Sequence, residues 1–359
     1  MQLLSSFGTK IRTLREGQSI SQARLSELSG IMRDQISRIE NGQVNATIET
    51  IYKLSVALEV PMHKMLDFHV DAVVEPYIEF KRNYKIKPFV KWAGGKSQLL
   101  EQIESLMPKK YNTYYEPFVG GGALFLYLKP KKAVINDLNG ELACSYRCFQ
   151  NKKSYEELVK SIKLHEENHS EEYYYKIREQ DKSEIFNSMS DYEKAARFIY
   201  LNKSGFNGLY RVNSKGHFNV PSGKKTKVKT YDKENFESLF DYLSTSDVKI
   251  YNEDFSKIVE SASEGDFVYF DPPYDSWEEK ESFTSYSREG FGKEEQRQLA
   301  KVFKNLDARG VKVMLSNHNT NFISELYKGF SINVVFAKRM INSNSKGRGK
   351  VEEVIITNY

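Results

Sequence analysis

The sequence predicts an α/β protein with a parallel sheet and an inserted lobe, preceded by a small all-helical domain. Two observations carry that expectation. Residues 1–68 hold only helical periodicity, whereas from Lys87 onward short apolar runs alternate with helical patterns, as in a parallel sheet with crossover helices. A third bears on chemistry. Asp271-Pro272-Pro273-Tyr274 follows the apolar run 267–270, so a stiff, polar loop leaves the C-terminal end of a buried strand, where open α/β sheets place their sites.

Taken in order, Phe7, Ile11 and Leu14 keep helical spacing until Gly17 breaks it. Ser21 is an N-cap type ahead of Ala23, Leu25 and Leu28. Gly30 supplies a turn, and a third helix over 33–40 buries Ile36 and Ile39 before Asn41-Gly42 stops it. Thr47 caps a fourth helix with Ile51, Leu54, Val56 and Leu58, and Pro61 opens a fifth. Residues 69–86 lack a period and form a linker. The domain 87–359 has candidate strands at 114–118, 133–136, 248–252, 267–270, 311–316, 332–336 and 353–357. The stretch 140–240 interrupts the alternation with helical patterns and one hairpin, the inserted lobe.

Composition narrows the class. No run approaches the roughly 18 apolar residues of a membrane span, and the first residues lack a signal peptide's pattern. The two cysteines, Cys144 and Cys148, have no nearby His, so no metal site is expected and a reducing cytoplasm is. The net charge of +5 is unevenly placed. From Lys203 to Lys233 eight residues are basic and one acidic, and from Lys338 to Lys350 five are basic and none acidic. Such clusters on an otherwise acidic chain point to a polyanion partner, with solvated lysine loops as the plain alternative.

Several strand ends carry nucleoside-type features. Phe118-Val119-Gly120-Gly121-Gly122 follows a strand, and its glycines would let backbone approach a ligand. Asp137 ends the next strand, where an acid accepts from ribose hydroxyls or caps the helix that follows. Asp254-Phe255 offers a carboxylate and a ring to adenine, unless Phe255 is core. Trp92-Ala93-Gly94-Gly95-Lys96 combines a ring, a turn and a cation for a donor carboxylate, unless Trp92 only packs. In the loop 271–274 the prolines remove two donors. The Asp271 carboxylate and a carbonyl can then accept from an exocyclic amine, with Tyr274 as a stacking face.

Two resemblances follow from these residues. Ser21 to Gly30, then Ile36 to Gly42, resembles the lambda-repressor/Cro-like (XRE) helix-turn-helix family. The resemblance implies that Gln22, Arg33, Asp34 and Arg38 face a major groove, although residues 1–70 carry a net charge of only +1. Phe89 to Lys96, Glu116 to Gly122, Asp137, Asp254-Phe255 and the Asp-Pro-Pro-Tyr loop resemble the DNA adenine methylase (Dam) family, in its alpha-group motif order. The resemblance implies a Rossmann-like S-adenosylmethionine-dependent methyltransferase sheet, methylation of adenine N6 and flipping of the base. It assigns the cofactor to Trp92, Ala93, Gly94, Lys96, Glu116, Pro117, Phe118, Gly120, Asp137, Asp254, Phe255 and Asp271, and catalysis to Asp271, Pro272, Pro273 and Tyr274.

Residues 206–221 read as a hairpin turning at Ser214-Lys215-Gly216, with base-edge chemistry at Asn207, Arg211 and Asn213. The run resembles the family's DNA-recognition hairpin, which implies base contacts from Leu209, Arg211, Pro221 and Lys224. It also implies a GATC-type duplex target, with an A/T-rich palindrome second. Asn344 falls in a segment resembling a backbone-contacting loop. Lys225, Lys227 and Lys229 suit phosphates. His217 and Tyr173 to Tyr175 are expected to be structural. The competing function is a transcription regulator whose methylase half senses or tethers. For the helical module the alternatives are promoter control, steering to DNA and self-association; a companion restriction endonuclease is the remaining partner expected.

Overall fold

The computed structural model describes residues 2–66, 85–96, 98–276, 291–338 and 350–359. The expected linker lies mostly outside them, as does Asn344 with its loop. The chain divides into two compact units, Met1–Tyr84 and Lys85–Tyr359.

The first unit holds α1 (Gln2–Gly17), α2 (Gln22–Ser29), α3 (Arg33–Glu40), α4 (Ile48–Ala57) and α5 (Met62–Met65). Local chemistry sets their ends. The Ser21 hydroxyl accepts from the Arg24 N–H at 3.1 Å and the Thr47 hydroxyl from the Thr50 N–H at 3.1 Å. Gly30 ends α2 with φ 68°, which only glycine adopts without steric cost. Phe7, Ile11, Leu25, Ile36, Ile39, Leu54 and Leu58 form the core. Leu28 and Val56, which share the helical patterns, point outward instead, 45% and 59% exposed.

At the heart of this unit Arg15 grips Glu40 through two bonds, 2.7 and 2.9 Å. Burial alone would raise the Glu40 pKa; hydrogen bonds from Arg15 and Gln22 outweigh it and hold the carboxyl below its usual range. Removing one partner strands a buried charge, which costs about 3–5 kcal/mol. Glu40→Ala is therefore expected to lower the unfolding free energy of this unit by about that amount, read by denaturant titration.

The second unit is built on a seven-stranded sheet, β1 (Tyr114–Glu116), β2 (Lys132–Asn136), β3 (Asp247–Tyr251), β4 (Phe267–Phe270), β5 (Lys312–His318), β6 (Ser331–Lys338) and β7 (Lys350–Thr357), in the order β3-β2-β1-β4-β5-β7-β6. The first five strands pair in parallel. β7 runs antiparallel between β5 and β6, a departure from the uniformly parallel alternation. β4 is buried along its whole length, as a central parallel strand must be. Its Phe267 and Tyr269 join the core on one face, and Val268 and Phe270 the core on the other. β1 stops at Glu116, short of the expected Phe118, because Pro117 has no N–H for the ladder.

Before β2 come α6 (Leu100–Leu106) and α7 (Ala123–Leu128). Between β2 and β3 lie α8 (Gly140–Cys148), α9 (Lys152–Glu167), α10 (Glu171–Arg178), α11 (Ile185–Ser188), α12 (Asp191–Ser204) and α13 (Lys233–Thr245). The one-turn α14 (Phe255–Ile258) precedes β4, and α15 (Lys293–Ala308) and α16 (Asn321–Leu326) flank β5. Both cysteines are buried thiols in α8, and burial pushes Cys148 up to about 12. Among the described residues no helix is long and apolar enough to cross a membrane.

Candidate active site and target-recognition loop

The C-terminal ends of β1, β4 and β5 converge on the loop 271–276. The Lys96 ammonium lies 2.9 Å from Asp271 Oδ1, donates to the Gly94 carbonyl at 2.7 Å, and sits 4.4 Å from the centre of the Tyr274 ring. Lys96 was expected to meet a donor carboxylate; here it neutralises the chain's own. The Tyr274 hydroxyl donates to Glu353 on β7 at 3.0 Å, and His318 packs edge-on against its ring at 4.9 Å. The ring face under Lys96 is thus covered.

Glu116, at the end of β1, is 2% exposed and accepts from the Tyr114 hydroxyl at 2.6 Å. Burial, reinforced by the negative charge of Asp271, pushes it up to about 8 against the help of Tyr114 and Lys96. Burial also raises Asp271, opposed by Lys96. Among the described residues, Lys96 is the cation that acts on both buried carboxyls, Glu116 and Asp271. Buried carboxylates in excess of their cations favour a positively charged ligand, and this donor set fits one.

Asp137 ends β2 half-buried, accepting from the Gly120 N–H at 3.0 Å and the Asn139 N–H at 2.8 Å. Its pKa rises to about 6 through burial, against those two bonds. Asn139 itself caps α8. The glycines after β1 have a purpose within the chain. A Cβ on Gly120 would come within 2.6 Å of the Trp92 ring, and one on Gly122 within 2.4 Å of the Tyr146 hydroxyl. Trp92 packs on Phe198 and Tyr210, at 6.0 and 5.5 Å between ring centres. Phe255 is only 6% exposed and packs on Phe118 at 5.1 Å, so the half-buried Phe118 is the more accessible ring. The Asp254 carboxylate caps α14 through the Ser256 N–H and hydroxyl. Ala93 and Gly94 are exposed, and the buried Pro117 gives its carbonyl to Asn136 at 2.9 Å. A groove of about 710 Å³ along Tyr115, Val134 and Tyr251 shares no residue with this cluster.

The hairpin after α12 closes through Gly205 opposite Ser222 and Val212 opposite Phe218, with Gly216 at φ 84° in its turn. Asn207, Leu209, Arg211, Pro221 and Lys224 are exposed on it. The Arg211 Nε donates to Asn219 Oδ1 across the hairpin at 2.8 Å. Asn213 is less available than expected: its side-chain oxygen accepts from the N–H groups of Lys215 and His217, at 2.9 and 3.1 Å, and holds the turn. Lys225 gives its ammonium to the Lys203 carbonyl. In the first unit Arg33, Asp34 and Arg38 line the exposed face of α3. Gln22 does not join them, because its amide donates to Glu40 at 2.8 Å.

Sequence reasoning missed the polar groups that hold these loops. Arg197 is fully buried, paired with Glu141 at 2.6 Å and Asp181 at 3.0 Å, and Asp181 in turn accepts the Phe218 N–H at 2.7 Å. Tyr174, expected to be structural, does hold the hairpin, donating to the Val220 carbonyl at 3.0 Å. The Asn202 amide bonds both backbone groups of Lys91 at 2.8 Å and reaches the Gly208 carbonyl at 3.0 Å, tying the Trp92 segment to the hairpin. An inward-facing charge in a helix otherwise lined by Ala195, Phe198 and Ile199 was the one signal for Arg197. Arg197→Met is expected to weaken DNA affinity about 10-fold or more by releasing the hairpin's anchor, checked by fluorescence anisotropy.

Likeness to known proteins places the second unit among the methyltransferases. The chain belongs to the D12 class of N6 adenine-specific DNA methyltransferases, whose family model matches residues 92–341. A helix-turn-helix family model matches residues 11–64. The Type II methyltransferase M1.LlaDCHI of Lactococcus lactis subsp. cremoris is 49% identical over 279 residues, covering 78% of this chain and 98% of that protein. The DNA adenine methylase of Haemophilus influenzae is 37% identical over 279 residues, 77% of this chain and 94% of that one. Among solved structures, the restriction-modification controller protein C.AhdI of Aeromonas hydrophila matches 17% of this chain and 94% of its own, at 35% identity and a TM-score of 0.17.

Proposed function

We propose that this adenine-specific DNA methyltransferase takes its methyl group from S-adenosylmethionine and delivers it to N6 of an adenine swung out of a GATC-type duplex site. The observation that carries the reading is the asymmetry of the loop 271–274. The Pro273 carbonyl is engaged by Gln296 at 2.8 Å, whereas among the described residues none donates to the Pro272 carbonyl. That carbonyl and the Asp271 carboxylate are the two acceptors left for an amine with two N–H bonds. Accepting both draws the nitrogen lone pair out of conjugation and aims it, so the rate gain is orientation and electrostatic placement.

S-adenosylmethionine, when bound, supplies an electrophilic methyl group on a sulfonium. Glu116 and Asp271 suit its positive charge, Asp137 its ribose hydroxyls, and Trp92, Ala93, Gly94, Pro117, Phe118 and Gly120 border the same strand ends. Asp254 and Phe255 contribute from the start of α14. Lys96 opposes the burial that raises the Asp271 pKa and so favours the accepting carboxylate. A base within a duplex cannot reach this loop, so extrusion at a cost of a few kcal/mol is required. On this reading Leu209, Arg211 and Pro221 read the bases beside it, which their exposure on the hairpin supports. Arg33, Asp34 and Arg38 give the helix-turn-helix unit a second DNA-facing surface.

Arg211→Ala is expected to relax discrimination at one base pair by about 1–3 kcal/mol, measured as methylation of single-pair variants of the site. For the reaction itself, purified protein is incubated with tritiated S-adenosylmethionine and duplexes with or without GATC. Label in N6-methyladenine from the GATC duplex alone is expected; label from both duplexes would refute the specificity, and none from either would refute the methyl donor.

A further inference from the structure

We infer that Gln296 and Asn317 form a buried amide relay that positions the Asp-Pro-Pro-Tyr loop for methyl transfer; the inference rests on the proposed chemistry of that loop. Two consecutive prolines supply no N–H, so this segment cannot be tied down through its own donors at 272 and 273. It has to be held by donors that reach its carbonyls from outside. Gln296 on α15 does so, donating Nε2 to the Pro273 carbonyl at 2.8 Å. Its Oε1 accepts from Asn317 Nδ2 at 3.1 Å. The Asn317 Oδ1 then accepts the Asp275 N–H at 2.9 Å and the His318 N–H at 2.9 Å.

Gln296 is 1% exposed and Asn317 is 0% exposed. Burying an amide costs free energy unless its polar atoms are bonded. Here both amides have partners, and the partners that the relay reaches outside α15 and β5 are the loop's own backbone groups on either side of Tyr274. Asp275 is fastened further by the Thr320 hydroxyl on its carboxylate at 2.6 Å and by His318 Nδ1 at its carbonyl, 2.6 Å. The second half of the loop is thus clamped from α15 and β5. Proline rings set φ at both 272 and 273, so anchoring the Pro273 carbonyl leaves its neighbour at Pro272 little freedom. The relay keeps one carbonyl occupied and thereby decides which one meets the amine. Neither side chain touches substrate in this arrangement; both act through the loop.

The test separates positioning from folding and from binding. Gln296→Met keeps the volume and removes the donor; Asn317→Asp keeps the acceptor for the two N–H groups and removes the donation to Gln296. Methylation of a GATC duplex by each full-length variant is followed in a single turnover, with dissociation constants for duplex and S-adenosylmethionine measured separately. Both variants are expected to lose about 100-fold in single-turnover rate, the effect of a misplacement near 1 Å, with both dissociation constants within about threefold of wild type. A rate within about threefold of wild type in either folded variant overturns the inference, as does a rate loss matched by an equal loss of DNA affinity. Failure of both variants to fold would assign the relay to stability and overturn it too. A wild-type enzyme that puts no label into adenine would instead refute the proposed chemistry, which the variant ratios do not address.

Discussion

Asp271→Ala is expected to lower the single-turnover methylation rate by about 10²–10³-fold, the scale of losing one electrostatic contact at a developing charge, while duplex binding holds within a few-fold. The side chain lies at the end of β4 against Lys96 at 2.9 Å, whereas Arg211 and Lys224 are exposed on and beside the hairpin. The substitution leaves Lys96 without its partner but with the Gly94 carbonyl still bonded at 2.7 Å. Asp271→Asn should be nearly as damaging, because an amide nitrogen in place of one oxygen presents donors where the base amine needs an acceptor. Measured rates within tenfold of wild type for either variant would remove Asp271 from the chemistry.

The second large effect is on pH. Glu116 titrates at about 8 in the folded chain, raised by burial from an ordinary 4.5. Below pH 8 the carboxyl is neutral. A cation bound beside it favours the carboxylate, so binding expels a proton. Affinity for S-adenosylmethionine should then rise about tenfold per pH unit between pH 6 and 8 and level off above. Below pH 6 Asp137, raised to about 6, adds its own dependence. Glu116→Gln is expected to flatten the 6–8 segment in a calorimetric titration. The sign for stability is the reverse of the usual carboxylate. A raised folded pKa contributes stability fully present below the unfolded value and lost as pH rises through about 8. Glu116→Gln should therefore hold its melting temperature at pH 9 where wild type declines.

What the sequence disclosed was mostly local. Caps at Ser21 and Thr47 and the run 267–270 before the Asp-Pro-Pro-Tyr loop depend on neighbours a few residues apart, so patterns in the chain were enough. All seven strands were legible for the same reason, though not that β7 would run antiparallel, since alternation carries no direction. The site was legible as motifs but not as partnerships. The resemblance puts Gln22 on a groove-facing surface, and its amide is bonded to Glu40, eighteen positions along. The glycines near Gly120 looked like room for a ligand, and Trp92 fills the space a Cβ would need. Lys96 meets Asp271 and Gln296 meets Pro273 only once the sheet is assembled. Arg197 hid among apolar neighbours because its two carboxylate partners, Glu141 and Asp181, come from distant helices.

A crystal structure of the enzyme with a non-reactive S-adenosylmethionine analogue and a duplex holding its site addresses the grip on the base without intermediaries. The expected result is an extruded adenine whose N6 lies within hydrogen-bond distance of an Asp271 oxygen and the Pro272 carbonyl, with the Pro273 carbonyl still on Gln296. An adenine left stacked in the duplex, or an N6 held by other groups while Asp271 stays paired with Lys96 alone, would contradict the account.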